Sequence, residues 1–494
     1  MGDKNKKTRN IIGIVLVILI GLVVWSMVNT KSKWKYEKLG LAEYEKCNYK
    51  EAIKYYTLGI ESDPGNASLY NNRGLAYYKL KDYKNALSDY SKAIELKPDF
   101  ATAYCNRGLA HFKSDQAPKA IDDFTKAIEL NPKHVDAYYN RGCSYSQSVM
   151  YHEYLFTSEV EDAFQRALAD FDKALELDPG YALAFAGKGT AYHRHRDWDM
   201  ADAEYARALK LSEKIVERWG RKALSAVVEG RGRNYLTLVE LEKAASHYDK
   251  ALELDPKSRR AISLGASVYG WLKNYNKVVE LHSKMIHLIE NNPEFKGHNG
   301  HKRIGSAYAA RGKTYYLLGQ YDKARADCQK ALSSGSAEKP KHSVIAEVHR
   351  YLGKIYLKTG KEQDAKKELN KAITLYTGKT GSKIMRVAVS GYSGRGLCYL
   401  DLEEYDRAIP DFEKVIALNT PFDIKKYRKS ILGCKGYAYA HMNLGLAYWK
   451  MGKREKANEY LKKAMKVLDE GDRPYRSKEL KDALKTGNVA GLLK

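Results

Sequence analysis

Residues 69–80 read LYNNRGLAYYKL, and the triplet inside them, Asn72-Arg73-Gly74, returns as Asn106-Arg107-Gly108 and as Asn140-Arg141-Gly142. Each step is 34 residues. A fixed period of that length means stacked copies of one small structural unit, and it outweighs the count of separate domains that a length of 494 residues would suggest. Aligned on the glycine, units start near residues 33, 67, 101, 135, 182, 225, 259, 305, 346, 389 and 438. The eighth position is Gly at 40, 74, 108, 142, 189, 232, 312, 353, 396 and 445, with Ala266 in the seventh unit. The twentieth is Ala at 52, 86, 120, 167, 201, 244, 324, 365, 408 and 457, with Val278 in the seventh.

Small residues at two points twelve apart predict two antiparallel helices, A and B, that cross closely there. Tyr recurs at the eleventh position (Tyr77, Tyr145, Tyr192, Tyr235, Tyr315, Tyr356, Tyr399 and Tyr448) as a large amphipathic wedge. Several B helices stop at a proline, as in Leu96-Lys97-Pro98 and Leu130-Asn131-Pro132, because Pro cannot continue a helix. This arrangement resembles the tetratricopeptide repeat (TPR) family, whose positions in the second unit read Tyr70, Gly74, Tyr77, Ala86, Tyr90, Ala93 and Pro98. The resemblance covers about 33–471 and implies an all-α, right-handed TPR alpha-solenoid of about eleven units that binds proteins or peptides on a concave face.

The expected organisation is a basic flank over 1–10, a transmembrane helix over 11–28, repeats one to seven over 33–292, a linker over 293–304, basic repeats eight to eleven over 305–471, and a capping helix or tail over 472–494. Residues 11–28 (IIGIVLVILIGLVVWSMV) carry no charge and are long enough to span a bilayer. No small-residue cleavage pattern follows, which favours a retained single-pass anchor over a signal peptide. Lys4, Lys6, Lys7 and Arg9 before the span balance Lys31, Lys33, Lys35 and Lys38 after it. The orientation therefore rests on the habit of first apolar segments to insert N-terminus inward, which leaves the repeats outside the cytoplasm. Repeat four holds 13 extra residues at about 147–162. Ala266 and Val278 should splay the helices of repeat seven, and a bend is expected at about 259–304.

Of the net charge of +25, +19 falls in residues 301–494. Such a field suits an anionic partner (phospholipid, cell-wall polymer or nucleic acid), with Lys302, Arg303, Lys366, Lys367, Lys383, Arg386, Lys425, Lys426, Arg428 and Lys429 as candidates. Solvated lysine-rich helix faces account for it equally well. The six cysteines form no C-x-x-C pair and fit packed thiols.

The triplet itself divides into three roles. Position seven is Arg or Lys in seven units, and position 23 is acidic in six of those seven. The covariation within one chain predicts forks tying helix A to helix B: Arg73 to Asp89, Arg107 to Asp123, Arg141 to Asp170, Arg311 to Asp327 and Arg395 to Asp411. Lys188 with Glu204 fits the same rule, whereas Arg231 with His247 and Leu352 with Glu368 break it. Position six shares a helix face with positions two, nine and 13, away from helix B. In the TPR family that face lines the groove, and an asparagine ladder at the matching position holds extended peptide backbones. Asn72, Asn106 and Asn140 would form a similar peptide-binding groove here. The family's carboxylate clamp needs Lys and Asn where the first unit has Glu37 and Leu41, so it is absent. No segment long enough for a catalytic domain is left over once the repeats are assigned. No enzyme activity, small-molecule substrate, cofactor or metal is expected.

Overall fold

The computed structural model describes residues 35–151, 158–291, 300–334, 342–419, 433–470 and 480. Among them every regular element is an α-helix, and the chain divides into two compact units, Met1–Asn234 and Tyr235–Lys494. The first unit holds α1 (35–45), α2 (Tyr49–Ser62), α3 (Ala67–Lys79), α4 (Tyr83–Leu96), α5 (Ala101–Lys113), α6 (Ala117–Leu130), α7 (Val135–Tyr151), α8 (Ser158–Leu177), α9 (Ala182–His195), α10 (Trp198–Lys210), α11 (Ser212–Trp219) and most of α12 (Arg221–Thr237). In the second lie α13 (Leu241–Leu254), α14 (Arg259–Trp271), α15 (Tyr275–Asn291), α16 (Gly300–Leu317), α17 (Tyr321–Ser333), α18 (His342–Lys358), α19 (Glu362–Thr380), α20 (Met385–Asp401), α21 (Tyr405–Asn419), α22 (Gly433–Lys450) and α23 (Arg454–Glu470).

Consecutive helices pack as A–B pairs, and helix A of one repeat also touches helix A of the next: α3 with α5, α5 with α7 and α7 with α9 in the first unit, and α16 with α18, α18 with α20 and α20 with α22 in the second. Within a pair the contact is set by the small residues. A Cβ on Gly74 would lie 2.8 Å from the Tyr90 ring and 3.3 Å from the Ala86 carbonyl oxygen, so any side chain at 74 would push α3 off α4. The alanines at position 20 and the aromatic rings Tyr56, Tyr90, Phe124, Phe171, Tyr205 and Phe412 at position 24 are buried at the centres of their helix pairs. Asn66 caps α3 by accepting the Ser68 N–H at 3.0 Å, and Asp82 caps α4 from Asn85 at 3.2 Å.

Departures from the regular unit extend this scheme. The insertion of repeat four lengthens both of its helices, so that α7 runs to Tyr151 and α8 starts at Ser158. Phe164, at the regular start of helix B, lies flat against His195 at 3.9 Å between ring centroids, and the added first turn of α8 places the Glu161 carboxylate 2.9 Å from His195 Nε2. Helix α16 begins at Gly300, so residues 300–304 of the expected linker are helical. In repeat seven Ala266 and Val278 are both buried and α14 and α15 still pack together. From the tail, Leu480 is buried in the core of α22 and α23. The apolar segment 11–28 lies outside the described residues; among those described, no helix is long and apolar enough to cross a membrane. Cys47 is exposed, whereas Cys105, Cys328 and Cys398 are buried free thiols whose pKa burial pushes up to about 12.

Candidate binding surface on the helix A face

Arginine at position seven is fully engaged inside the stack. Arg73 donates from Nε and Nη2 to the two carboxylate oxygens of Asp89, each at 2.8 Å, and from Nη1 to Thr57 Oγ1 at 3.1 Å. Arg107 forks onto Asp123 and reaches Ser91, Arg141 forks onto Asp170 and reaches Thr125, and Arg311 forks onto Asp327 and reaches Ser283. Arg395 forks onto Asp411 and reaches Thr377. The fork ties A to B within a repeat; the third bond reaches the helix B before it. Tyrosine three residues earlier covers each guanidinium, as Tyr70 does for Arg73 at 5.6 Å. Repeat four keeps the pair despite its insertion.

Two repeats depart from the alignment. The Lys188 ammonium lies 3.8 Å from Glu204 and donates instead to Asp172, on the preceding helix B, at 2.7 Å. Arg231, which lacks an acid at position 23, forks onto Asp202 of the preceding repeat at 2.8 and 3.0 Å. Glu368, expected to lack a cation, accepts from His349 and Lys371.

The asparagines stay on the A face. Asn72, Asn106 and Asn140 are half-buried on α3, α5 and α7. Asn106 Nδ2 donates to Asn71 Oδ1 at 2.9 Å, Asn71 Nδ2 donates to Asn72 Oδ1 at 3.3 Å, and Asn140 hydrogen-bonds the Cys105 thiol. Position six of one repeat therefore meets position five of the repeat before it. Asn71, which the sequence reading passed over, is the hinge of this row. Each amide has four hydrogen-bonding sites, so one or two bonds apiece leave capacity for a peptide group.

Lys366 and Lys367 are exposed on α19, Lys383 is exposed before α20, Lys302 and Arg303 lie in α16, Arg386 lies in α20, and Lys425, Lys426, Arg428 and Lys429 fall outside the described residues. A different group converges on the A face of repeats eight to ten. Lys354 of α18 lies over the rings of Tyr316 (5.1 Å) and Tyr351 (5.7 Å), and Lys313 of α16 shares the Tyr351 ring at 5.4 Å. Arg350 donates to Asp401 of α20, whose other oxygen is 4.0 Å from Lys354. Burial holds the Lys354 ammonium below the usual lysine range, against the pull of Asp401. The signal was available: position nine, which holds Lys313 and Lys354, shares the asparagine face, but a comparison of position six alone passes over it.

Family models described as TPR repeat match residues 76–115, and models described as tetratricopeptide repeat match 101–134, 124–160, 230–258, 303–378, 389–419 and 438–467, together about half of the chain. The Hsp70-Hsp90 organizing protein of Triticum aestivum is 28% identical over 206 residues, which is 37% of this chain and 33% of that protein, so the chain spans a third of that relative's length. Among solved structures, MamA is 25% identical over 38% of this chain and 97% of its own, with a TM-score of 0.32. A thermophilic TPR protein of Thermus thermophilus is 20% identical over 41% of this chain and 98% of its own, with a TM-score of 0.36. The helix pairs, the close glycine contacts at the crossings, onto a ring at Gly74, Gly108 and Gly396 and onto Leu369 and Leu461 at Gly353 and Gly445, and the repeat matches along the sequence agree, and the chain belongs to the tetratricopeptide repeat superfamily.

Proposed function

We propose that this protein is a membrane-anchored scaffold for protein–protein interaction that holds extended peptides or partner helices on the A-helix face of repeats two to four. The observation that carries the reading is the placing of Asn71, Asn72, Asn106 and Asn140 on three neighbouring A helices, the first three joined to one another by hydrogen bonds and Asn140 bonded to Cys105. Side-chain amides donate and accept at once, which is what a peptide backbone requires of a sequence-tolerant reader. The organizing role in the name of the wheat relative supports an assembling function. The apolar 11–28 segment supplies the single-pass anchor, with the repeats outside the cytoplasm.

The test uses the full chain purified from carbonate-washed membranes as bait. Simultaneous Asn72→Ala, Asn106→Ala and Asn140→Ala should weaken partner affinity roughly a hundred-fold and cut recovery accordingly with helicity intact, the loss of about three hydrogen bonds at about 1 kcal/mol each. Unchanged recovery rejects the asparagine groove, and release of the chain by carbonate rejects the anchor. A reporter fused to the carboxyl end reads the orientation. A second reading, an anionic partner of the basic repeats, draws support from the Lys313, Arg350 and Lys354 group.

A further inference from the structure

We propose that the A face of repeats eight to ten is a binding site for a phosphorylated side chain on an extended protein segment, held by Lys313 and Lys354 against the rings of Tyr316 and Tyr351. The inference deepens the second reading and is independent of the asparagine row, which lies in the other unit.

Three observations converge on an anion. The Lys354 side chain is 14% exposed, yet its only nearby carboxylate among the described residues is Asp401, at 4.0 Å and already bound by Arg350. An ammonium has three donors to satisfy, and two ring faces with a distant shared carboxylate leave its shell incomplete. Lys313, about half-exposed, shares Tyr351 with Lys354, donating to Glu347 at 3.2 Å and hydrogen-bonding the Tyr351 hydroxyl, so its ammonium is partly open to solvent. Third, the local charge does not close: Lys313, Arg350, Lys354 and the next-turn Lys358 face Glu347 and Asp401, four cations against two carboxylates.

A surplus of two selects the ligand. A phosphate monoester carries close to two negative charges at neutral pH and three acceptor oxygens, so it can bridge both ammonium groups, whereas a carboxylate cancels one charge. Burial selects the carrier. Arg350 and Lys354 lie only 11% and 14% exposed, beyond the reach of a flat bilayer surface, and a group projecting from a polypeptide can approach the ammonium groups beside the edge-to-face pair of Tyr316 and Tyr351.

The experiment titrates the full chain into three fluorescent pools of degenerate decapeptides that differ only in a central phosphoserine, serine or glutamate. The phosphoserine pool should bind at least ten-fold more tightly than the serine pool, with glutamate between them. Lys313→Met with Lys354→Met should abolish that preference while the melting temperature holds or rises, because a poorly paired buried ammonium is replaced by an apolar chain. Lys313→Gln alone, at an exposed position, should weaken the preference several-fold without touching the interior. The asparagine triple variant should keep it. Equal binding of the serine and phosphoserine pools, a glutamate pool as tight as phosphoserine, or a preference that survives both lysine variants overturns the proposal. So does retention on phosphoinositide vesicles, lost in the double variant, without any peptide preference; that outcome assigns the site to lipid.

Discussion

The guanidinium at position seven is the residue that most invites a functional reading, and its surroundings remove it from one. In repeat four Arg141 spends three of its donors on Asp170 and Thr125, and its planar face lies under Tyr138. The pair is not strongly stabilising in sum: burial raises the Asp170 carboxyl above its ordinary value despite the fork. Desolvation thus offsets much of the attraction, as it does for buried ion pairs generally. Two outcomes follow for thermal unfolding monitored by circular dichroism. Asp170→Ala alone should lose about 3 kcal/mol, because it strands a guanidinium inside the stack. Arg141→Met with Asp170→Leu should stay within about 1 kcal/mol of the parent. A double variant as damaged as the single one would show that the fork itself is needed and that desolvation does not cancel its attraction.

At the scale of the element, the turn between helix A and helix B carries a feature that the repeat alignment concealed. Position 15 adopts a left-handed backbone in every regular unit: Cys47, Lys81, Asp115, Arg196, Val239, Lys273, Gly319, Gly360, Glu403 and Gly452 all have φ between 56° and 76°. Only three are glycine, so composition gave a diluted signal for a uniform conformation. Val239, with φ at 61°, is the costliest, since a β-branched side chain crowds the carbonyl there. Val239→Gly should stabilise the protein by about 1 kcal/mol, read as a raised urea midpoint; a lowered midpoint would mean that the valine side chain contributes more by packing than its backbone costs. The helix pairs were legible because Gly74, Ala86 and Pro98 each constrain the chain in one way only. The links between repeats were not. Thr57, Asp172 and Asp202 serve an arginine or lysine of the following unit, and comparing one unit with itself finds partners only inside that unit. Asn71 escaped for the same reason, since its partner Asn106 belongs to the next repeat.

Across the whole molecule, stability in a stacked architecture accumulates from local terms, so a condition that weakens a few repeats should be felt repeat by repeat. Three histidines, two half-buried and one buried, supply such a condition. His193, in the first unit, donates through Nδ1 to Asn234 Oδ1 at 3.0 Å, with Arg233 and Arg194 nearby. His282, in the second, is half-buried near Arg311. His441 is 4% exposed beside Tyr437, Tyr460 and Lys463, and its Nδ1 is buried without a hydrogen-bond partner among the described residues. Burial first, and neighbouring cations second, lower the pKa of each from 6.5 to about 4. A depressed folded pKa means that the unfolded chain takes up protons that the native one refuses, so stability is fully present above about pH 6.5 and is lost as pH falls toward 4. The melting temperature should therefore decline through that interval, ahead of the carboxylates that titrate lower. Hydrogen exchange should locate the loss in both units at once, around α9 in the first and around α15 and α22 in the second. His193→Gln should spare α9 at acid pH while leaving α15 and α22 as sensitive as before. A melting temperature that stays flat between pH 6.5 and 4, or a single histidine variant that protects both units together, would show that these repeats do not hold their histidines neutral or do not respond to acid independently.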